Sequence, residues 1–432
     1  MEQIESKFIP ADRPMTAVIV GAGHRSLVYA SYADEHPEEL QIVAVVDPDA
    51  ERRQLVADKY QLAAEMSFES VDELVAGPQI ADVAINGTMD NVHVATSLPL
   101  LAAGYHILLE KPIGASEAEV LELEAAAKRY NRHVMVCHVL RYAPYYAAIR
   151  KLIAEDEIGK IIHIHTEENV SYHHMAMAYV RGKWNSKQTG GSSMLMAKCC
   201  HDLDLITWMK SGVRPATVAS VGSLLQFRPE RAPEGSGTRC LADCQIESTC
   251  IYSARKHYVE QGLWVPYVSY NEHLGVNQTP DQVLESLRTD NPYGRCVWRC
   301  DNDVVDHQSV IVEFEDGSTA THNLNGATAK PCRSIHIIGE KGEIQGVMED
   351  GWFTVRHPDP RQGHEYSERK VELNVSMDMH GGGDLRLVAD FINVLRGGMP
   401  SLSSTSLEQS LYGHLIGFAA DRSREERRTI SI

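Results

Sequence analysis

Apolar residues in the first third of the chain come in short continuous runs. Between the runs, apolar positions recur at helical spacing. "TAVIVG", "QIVAVVD", "IADVAING", "HILLEKP" and "HVMVCHV" read as strands. "RSLVYASYADEH", "PDAERRQLVADKYQL", "VDELVAG", "NVHVATSLPLLAAG" and "SEAEVLELEAAAKRYN" read as the helices between them, with Pro48 near the start of one and Gly104 closing another. Strands that are apolar throughout and alternate with helices predict a parallel sheet covered on both faces, the doubly wound α/β pattern.

After about residue 140 the pattern changes. "YYAAIRKLIAEDEIG" reads as a helix behind Pro144, "KIIHIHTEENV" alternates as a strand does, and "HDLDLITWMKSG" returns to helical spacing. From Thr217 to Val347 strand signals dominate, and Asp316-Gly317 between two alternating runs marks a hairpin. "RPERAPEGSG" is a polar loop, and two late helices follow, "GDLRLVADFINVLRGG" and "SLEQSLYGHLIGFAADRSREE". The expected fold is α/β: an N-terminal Rossmann domain over 14–140, then an α+β domain over 141–432 with a large, mostly antiparallel open sheet. No internal repeat is visible.

A chain of 432 residues fits two domains. Its apolar and charged fractions, 43% and 23%, are ordinary for a globular protein. A formal charge of −18 with no long basic run argues against nucleic acid or an anionic membrane as partner. The opening "MEQIESKFIPADRPM" has no apolar signal core, and no run reaches the roughly 18 apolar residues of a membrane span. With nine cysteines, an odd number, the chain is expected to be cytoplasmic with reduced thiols.

The stretch "AVIVGAGHRSLVYASYADEH", Ala17 to His36, leaves its strand on Gly21-Ala22-Gly23 and continues as a helix. In a dinucleotide-binding turn the first glycine permits the turn and the second lets the backbone approach the pyrophosphate. The third lets the helix pack closely on the strand. Gly21 and Gly23 fill the first two places, and the small Ser26 stands in the third. The helix start, at His24 and Arg25, offers free N–H groups and a positive dipole end to phosphate. Asp47 ends the second strand, where a carboxylate accepts from both ribose hydroxyls and repels a 2′-phosphate. NAD is favoured, while Arg52 and Arg53 leave NADP open.

"EKPIG", Glu110 to Gly114, closes a late strand of this nucleotide half. With Gly21-x-Gly23, "GTMDNVH" and the "HDLD" helix, it makes the chain resemble the Gfo/Idh/MocA oxidoreductases from about Ala17 to the C-terminus. "GTMDNVH" is similar to that family's T-P-N-x-x-H turn, with Thr88 and His93 matching and Met89-Asp90 departing. "RYAP", Arg141 to Pro144, matches its R-[FY]-x-P at the domain crossover. The resemblance implies an NAD(P) site built from Gly21, Gly23, His24, Arg25, Ser26, Asp47, Thr88, His93, Glu110, Lys111 and Arg141. It also implies small-molecule sugar, inositol or polyol substrates, and a homodimer or homotetramer formed through the large sheet.

Lys111 stands at the carboxyl edge of the parallel sheet, where doubly wound folds bind ligands. It is expected to polarise a substrate oxygen, with its pKa lowered by burial and a neighbouring cation. His201 suits the base that accepts an alcohol proton. The family carries Asp four residues before this histidine; here Ala197 stands there and Lys198 beside it, so the usual proton relay is altered. Asp204, at i+3, either orients His201 or binds a hydroxyl. Asn169, His174, Arg181 and Trp184 either line a sugar cleft or belong to a well-bonded loop. Asp306 to Gln308 and His380 are weaker candidates.

Cys240-x3-Cys244-x5-Cys250 and Cys296-x3-Cys300 do not match the common zinc spacings. Thiols packed as small apolar groups are the expected reading, no metal is assigned, and a structural zinc is the alternative. Cys199 and Cys200 have no activating base. The leading functional reading is an NAD(P)-dependent dehydrogenase acting on a sugar, inositol or derivative. The runner-up is a glycosidase or lyase that transiently oxidises a sugar ring carbon with tightly held NAD. A sensor that binds NAD without chemistry is disfavoured by Lys111 and His201.

Overall fold

The computed structural model describes residues 8–271, 276–373 and 382–432. The N-terminal sheet has six parallel strands, β1 (Met15–Val20), β2 (Leu40–Val46), β3 (Ser67–Phe68), β4 (Val83–Asn86), β5 (His106–Leu109) and β6 (Val134–Val136), in the order β3-β2-β1-β4-β5-β6. This is the doubly wound order. Its strands are apolar throughout because both faces are buried. Ala17 and Ile19 join one core cluster, Val18 and Val20 the other. The order reverses between β1 and β4, which leaves a crevice at their carboxyl ends.

The second sheet has nine strands: β7 (Ile161–Ser171), β8 (Pro215–Ser223), β9 (His307–Phe314), β10 (Thr319–Thr328), β11 (Cys332–Gly339), β12 (Glu343–Val347), β13 (Trp352–Pro358), β14 (Tyr366–Glu372) and β15 (Ile430–Ser431). Their order is β14-β13-β12-β11-β7-β10-β9-β8-β15, and β7–β10 is its one parallel pair. β9 and β10 form the hairpin expected at Asp316-Gly317, with Gly317 at φ +82°. One face is covered by the helices Met194–Met209 and Leu407–Glu426. The other is open, and period-two alternation makes the distinction: Ile164, Thr166, Glu168 and Val170 of β7 are buried, while His163, His165, Glu167 and Asn169 are only half-buried.

The chain does not follow the strand-rich expectation between Thr217 and Val347 throughout. From Ser223 to His307 it runs as an excursion of turns with one longer helix, Pro280–Thr289. Its apolar residues, among them Phe227, Tyr252 and Val297, enter the main core singly rather than as alternating faces. Late in the chain, the helix Gly383–Leu395 crosses back and buries Leu387, Phe391 and Ile392 in the same cluster as Met15 and Ile19. No helix among the described residues is long and apolar enough to cross a membrane.

The glycine missing from position 26 has its counterpart across the turn. Ser26 is fully buried, and a Cβ at Gly87 would stand 2.2 Å from its Oγ. The small pair is thus split between helix and strand end. Gly87→Ala is expected to lower stability by about 1–3 kcal/mol. Ser26→Ala in the same chain should restore most of it, because the Ser26 Oγ has no hydrogen-bond partner to lose. A double-mutant cycle by urea unfolding reads the coupling; additive effects would contradict the contact.

Candidate active site

The crevice at the carboxyl ends of β1, β4 and β5 continues into a cleft of about 370 Å³ between the two sheets. Its nucleotide-side wall carries Gly23, His24, Arg25, Thr88, His93, Glu110 and Lys111. The opposite wall carries His174, Tyr179, Trp184, Lys198, His201, Trp264, Tyr267 and Arg333.

Gly21 adopts φ +78°, and a Cβ there would meet Thr88 N at 2.8 Å, so the turn closes on the next strand end. Gly23 caps the helix His24–Ala30 and faces open space, where a Cβ would meet nothing within 4 Å. Such a cradle, bare of side chains, admits a pyrophosphate against the helix start. Asp47 is buried at the end of β2 and accepts from Ala22 N at 2.7 Å and Asp49 N at 2.9 Å. Each oxygen keeps a lone pair for a ribose hydroxyl. Arg53 donates to the Asp47 main-chain oxygen.

The loop behind Lys111 is fixed from three sides. Glu110 accepts from Arg25 Nε and Tyr29 OH, both at 2.8 Å, and from Lys111 N at 2.6 Å. Burial opposes the Glu110 charge, but Arg25 and Lys111 outweigh it and hold the carboxyl at about 2. His93 sets one ring nitrogen 2.6 Å from Pro112 O and the other 3.1 Å from Thr88 O, bracing the two turns against each other. Ile113 N donates to His414 Nε2 at 2.9 Å, so Nδ1 carries that ring's proton and donates to Ser410 O. Burial drives His414 down to about 3, and it stays a neutral acceptor.

Lys111 Nζ donates to Ala197 O at 2.8 Å. Burial lowers its pKa, but Cys200, Glu110 and Asp90 raise it more, and the net direction is upward. This corrects the expectation of a lowered lysine: the neighbouring cation Arg25 is outweighed by buried carboxylates. Lys111 is therefore an ammonium that donates.

The helix Met194–Met209, capped by Ser193, distributes chemistry by its periodicity. Ala197, Lys198 and His201 face the cleft. Cys199 and Asp202 turn toward the sheet, where Arg333 Nε meets Glu168 at 2.7 Å and Asp202 at 3.2 Å, and Lys198 Nζ meets Glu168 at 3.1 Å. Asp204 turns the third way, onto Arg141, in a bidentate pair at 2.7 and 2.6 Å. Burial pushes His174 well below its ordinary value, with Lys198 adding to the shift, so its ring is neutral where it stacks on Trp264 at 4.6 Å.

Comparison with known proteins adds a lineage to this geometry. Residues 15–138 match the model of an oxidoreductase family with an NAD-binding Rossmann fold, and residues 150–432 match that family's C-terminal α/β domain. The chain belongs to the Gfo/Idh/MocA oxidoreductase family. It is 24% identical to the putative oxidoreductase YteT of Bacillus subtilis (strain 168), over 81% of each chain. It is 31% identical to trans-1,2-dihydrobenzene-1,2-diol dehydrogenase of Sus scrofa, over 60% of this chain and 78% of that one. The match to the Xenopus tropicalis enzyme of the same name spans 53% of that protein. A solved structure of levoglucosan dehydrogenase in complex with NADH superposes with a TM-score of 0.70, at 17% identity, over 97% of this chain and 99% of the other.

As a Gfo/Idh/MocA dehydrogenase the protein has an NAD(P)-binding Rossmann domain. Where the family motif places Asp, the Ala197 main-chain oxygen receives Lys111 instead. Of the residues singled out from sequence, Lys111, His201, Lys198, His174 and Trp184 meet in the cleft with Gly23, His24, Arg25, Thr88, His93 and Glu110. Gly21, Ser26 and Asp47 form the turn and strand end behind it.

Six residues stand elsewhere. Arg141 is buried on Asp204 and Ser404 O, and neither it nor Asp204 lines the cleft. Asn169 lies one position out of phase, on the open sheet face beside Asn325 and Cys332, and its neighbour Glu168 is the buried one, paired with Lys198 and Arg333. Arg181 is sealed among main-chain oxygens, Tyr258 and Cys240. Asp306 accepts from Leu225 N and Gln226 N, and Gln308 bonds Ser220, so both hold the fold. His380 lies outside the described residues. Tyr179, Trp264, Tyr267 and Arg333 escaped sequence reasoning. Tyr179 lay inside the aromatic stretch already suspected; the others come from distant segments with no motif of their own.

The placement of Arg141 is testable. Arg141→Met leaves Asp204 buried without its partner and is expected to cost about 3–5 kcal/mol in urea unfolding. NADH affinity per folded molecule should be unchanged; a large loss of affinity without a loss of stability would return Arg141 to the cofactor site.

Proposed function

We propose that the protein oxidises a secondary hydroxyl of a sugar, inositol or related cyclic polyol, with NAD as the preferred cofactor. The observation that carries this reading is the convergence of Lys111, Lys198 and His201 with Trp184, Trp264 and Tyr267 around one cleft at the nucleotide crevice. Aromatic faces receive the C–H faces of a ring, and charged donors take its hydroxyls. The named activities of two relatives, on levoglucosan and on a cyclic diol, support a ring-borne hydroxyl. Asp47 supports NAD over NADP by repelling a 2′-phosphate.

Bound NAD supplies the hydride acceptor for the carbinol carbon. The Lys111 ammonium donates to the reacting oxygen and stabilises negative charge as it develops there. The His201 imidazole accepts the hydroxyl proton, leaving a ketone. Lys198, paired with Glu168, is placed to bind a neighbouring hydroxyl. Glu110, His93 and His414 act at one remove, by fixing the Lys111 loop. We place the contacts of a homodimer or homotetramer on the open sheet face, where Ile311 and Val221 stand 54% and 72% exposed. All nine cysteines are unpaired, which supports a cytoplasmic setting.

The test is reduced-nicotinamide absorbance with NAD and then NADP against polyols, inositols, aldoses and glycosides, with sugar release followed in parallel. Substrate-dependent NADH accumulation is expected, weaker with NADP. His201→Asn should lower kcat on the order of 100- to 10,000-fold with NADH affinity intact. Glycoside cleavage without accumulation of NADH would overturn the dehydrogenase reading in favour of transient, redox-neutral oxidation.

A further inference from the structure

In the excursion between Ser223 and His307, four of the nine cysteines meet. Cys240, Cys244, Cys250 and Cys296 line one small cavity. The backbone sets them there. Cys240 N donates to Gly294 O at 2.9 Å and Cys296 N to Thr238 O at 2.8 Å, across an antiparallel bridge between Arg239 and Arg295. Amide donors already point at the sulfurs. Tyr252 N donates to Cys250 Sγ at 3.3 Å, and Trp298 N donates to Cys296 Sγ in the same i+2 relation.

A second observation concerns charge. Arg181 is 1% exposed. Its guanidinium bonds Arg295 O, Tyr252 O, the Tyr258 hydroxyl and Cys240 Sγ, the last at 3.3 Å. None of these partners is a carboxylate. A buried cation calls for a buried anion, and neutral thiols do not supply one.

We propose that Cys240, Cys244, Cys250 and Cys296 bind a thiophilic metal centre as thiolates, with Arg181 as its counter-ion. Four thiolates around a divalent centre leave net negative charge, which is what the guanidinium lacks. A Zn–S bond of about 2.3 Å sets tetrahedral sulfurs about 3.8 Å apart. Among the described residues, the one group of three potential ligand atoms lying within 4.8 Å of one another is Cys199, Asp202 and His322, so no three of these sulfurs are that close. A four-iron cluster, in which each thiolate takes a different iron, needs no such close approach; a single zinc ion would draw the four inward. The centre would brace the cleft. Arg181 ends the turn Met175–Arg181 that carries Tyr179, and the excursion carries Trp264 and Tyr267.

The test is metal and acid-labile sulfide analysis of the full-length protein, untagged and purified without oxygen. About four iron and four sulfide per chain, with visible absorption bleached by dithionite, would identify a cluster. About one zinc per chain would identify a single ion. Either result upholds the four-thiolate site. Cys240→Ser with Cys250→Ser should abolish the bound metal, and Cys332→Ser, outside the cavity, should keep it. Wild-type protein that unfolds cooperatively yet holds no stoichiometric metal would overturn the proposal, as would full metal retention in the double variant.

Discussion

The site depends on one buried carboxylate at the back of the cleft. Glu110 is buried at the end of β5, and the cost of its charge is offset by Arg25, the Tyr29 hydroxyl and the Lys111 amide. Arg25 also bonds Asp384, at the start of the late helix that crosses back onto the first sheet. One ion network therefore joins the glycine turn, the lysine loop and a segment from near the end of the chain. Because Tyr29, Glu110 and Asp384 are buried and Arg25 is largely so, the pieces hold their relative places only when all are present. The nucleotide crevice and the Lys111 loop are in this sense one structure.

The helix Met194–Met209 makes the complementary contribution from the second domain. Its three polar directions serve the cleft, the Arg333–Glu168–Asp202 cluster and the Arg141–Asp204 pair. The last of these anchors the helix to the domain crossover. A carboxylate in this helix that reads from sequence as a substrate ligand is thus spent on holding the helix in place, and Lys111 meets a helix carbonyl where the family pattern has a side chain. In the proposed reaction, proton acceptance then rests on His201, and Lys111 contributes charge.

The nucleotide half was legible because its chemistry is local: buried strands are apolar throughout, and Gly21, Gly23, Asp47, Glu110 and Lys111 all sit at strand ends. The Gly87 partner of Ser26 was not legible, since it is set by contact across the turn. In the second domain, alternation marked β7 as a strand but not which of Glu168 and Asn169 faces inward; that phase is fixed by the helices packed on one face. The excursion misread as strand-rich has no periodicity, because its apolar residues enter the core one at a time. Arg141 and Arg181 looked like ligand-binding residues, and only burial distinguishes a guanidinium that meets a ligand from one that staples the interior.

The central claim is that the glycine turn holds a dinucleotide whose reactive end lies in the cleft. Gly23 tests it most directly, because its backbone is extended at φ −77° and a Cβ there meets nothing within 4 Å. A side chain at this position should leave the fold alone and fill the space a pyrophosphate needs. NADH binding, read by quenching of Trp184 and Trp264 emission, should be lost in Gly23→Val while its thermal unfolding midpoint matches the wild type. NADH binding that survives the substitution unchanged would contradict the account.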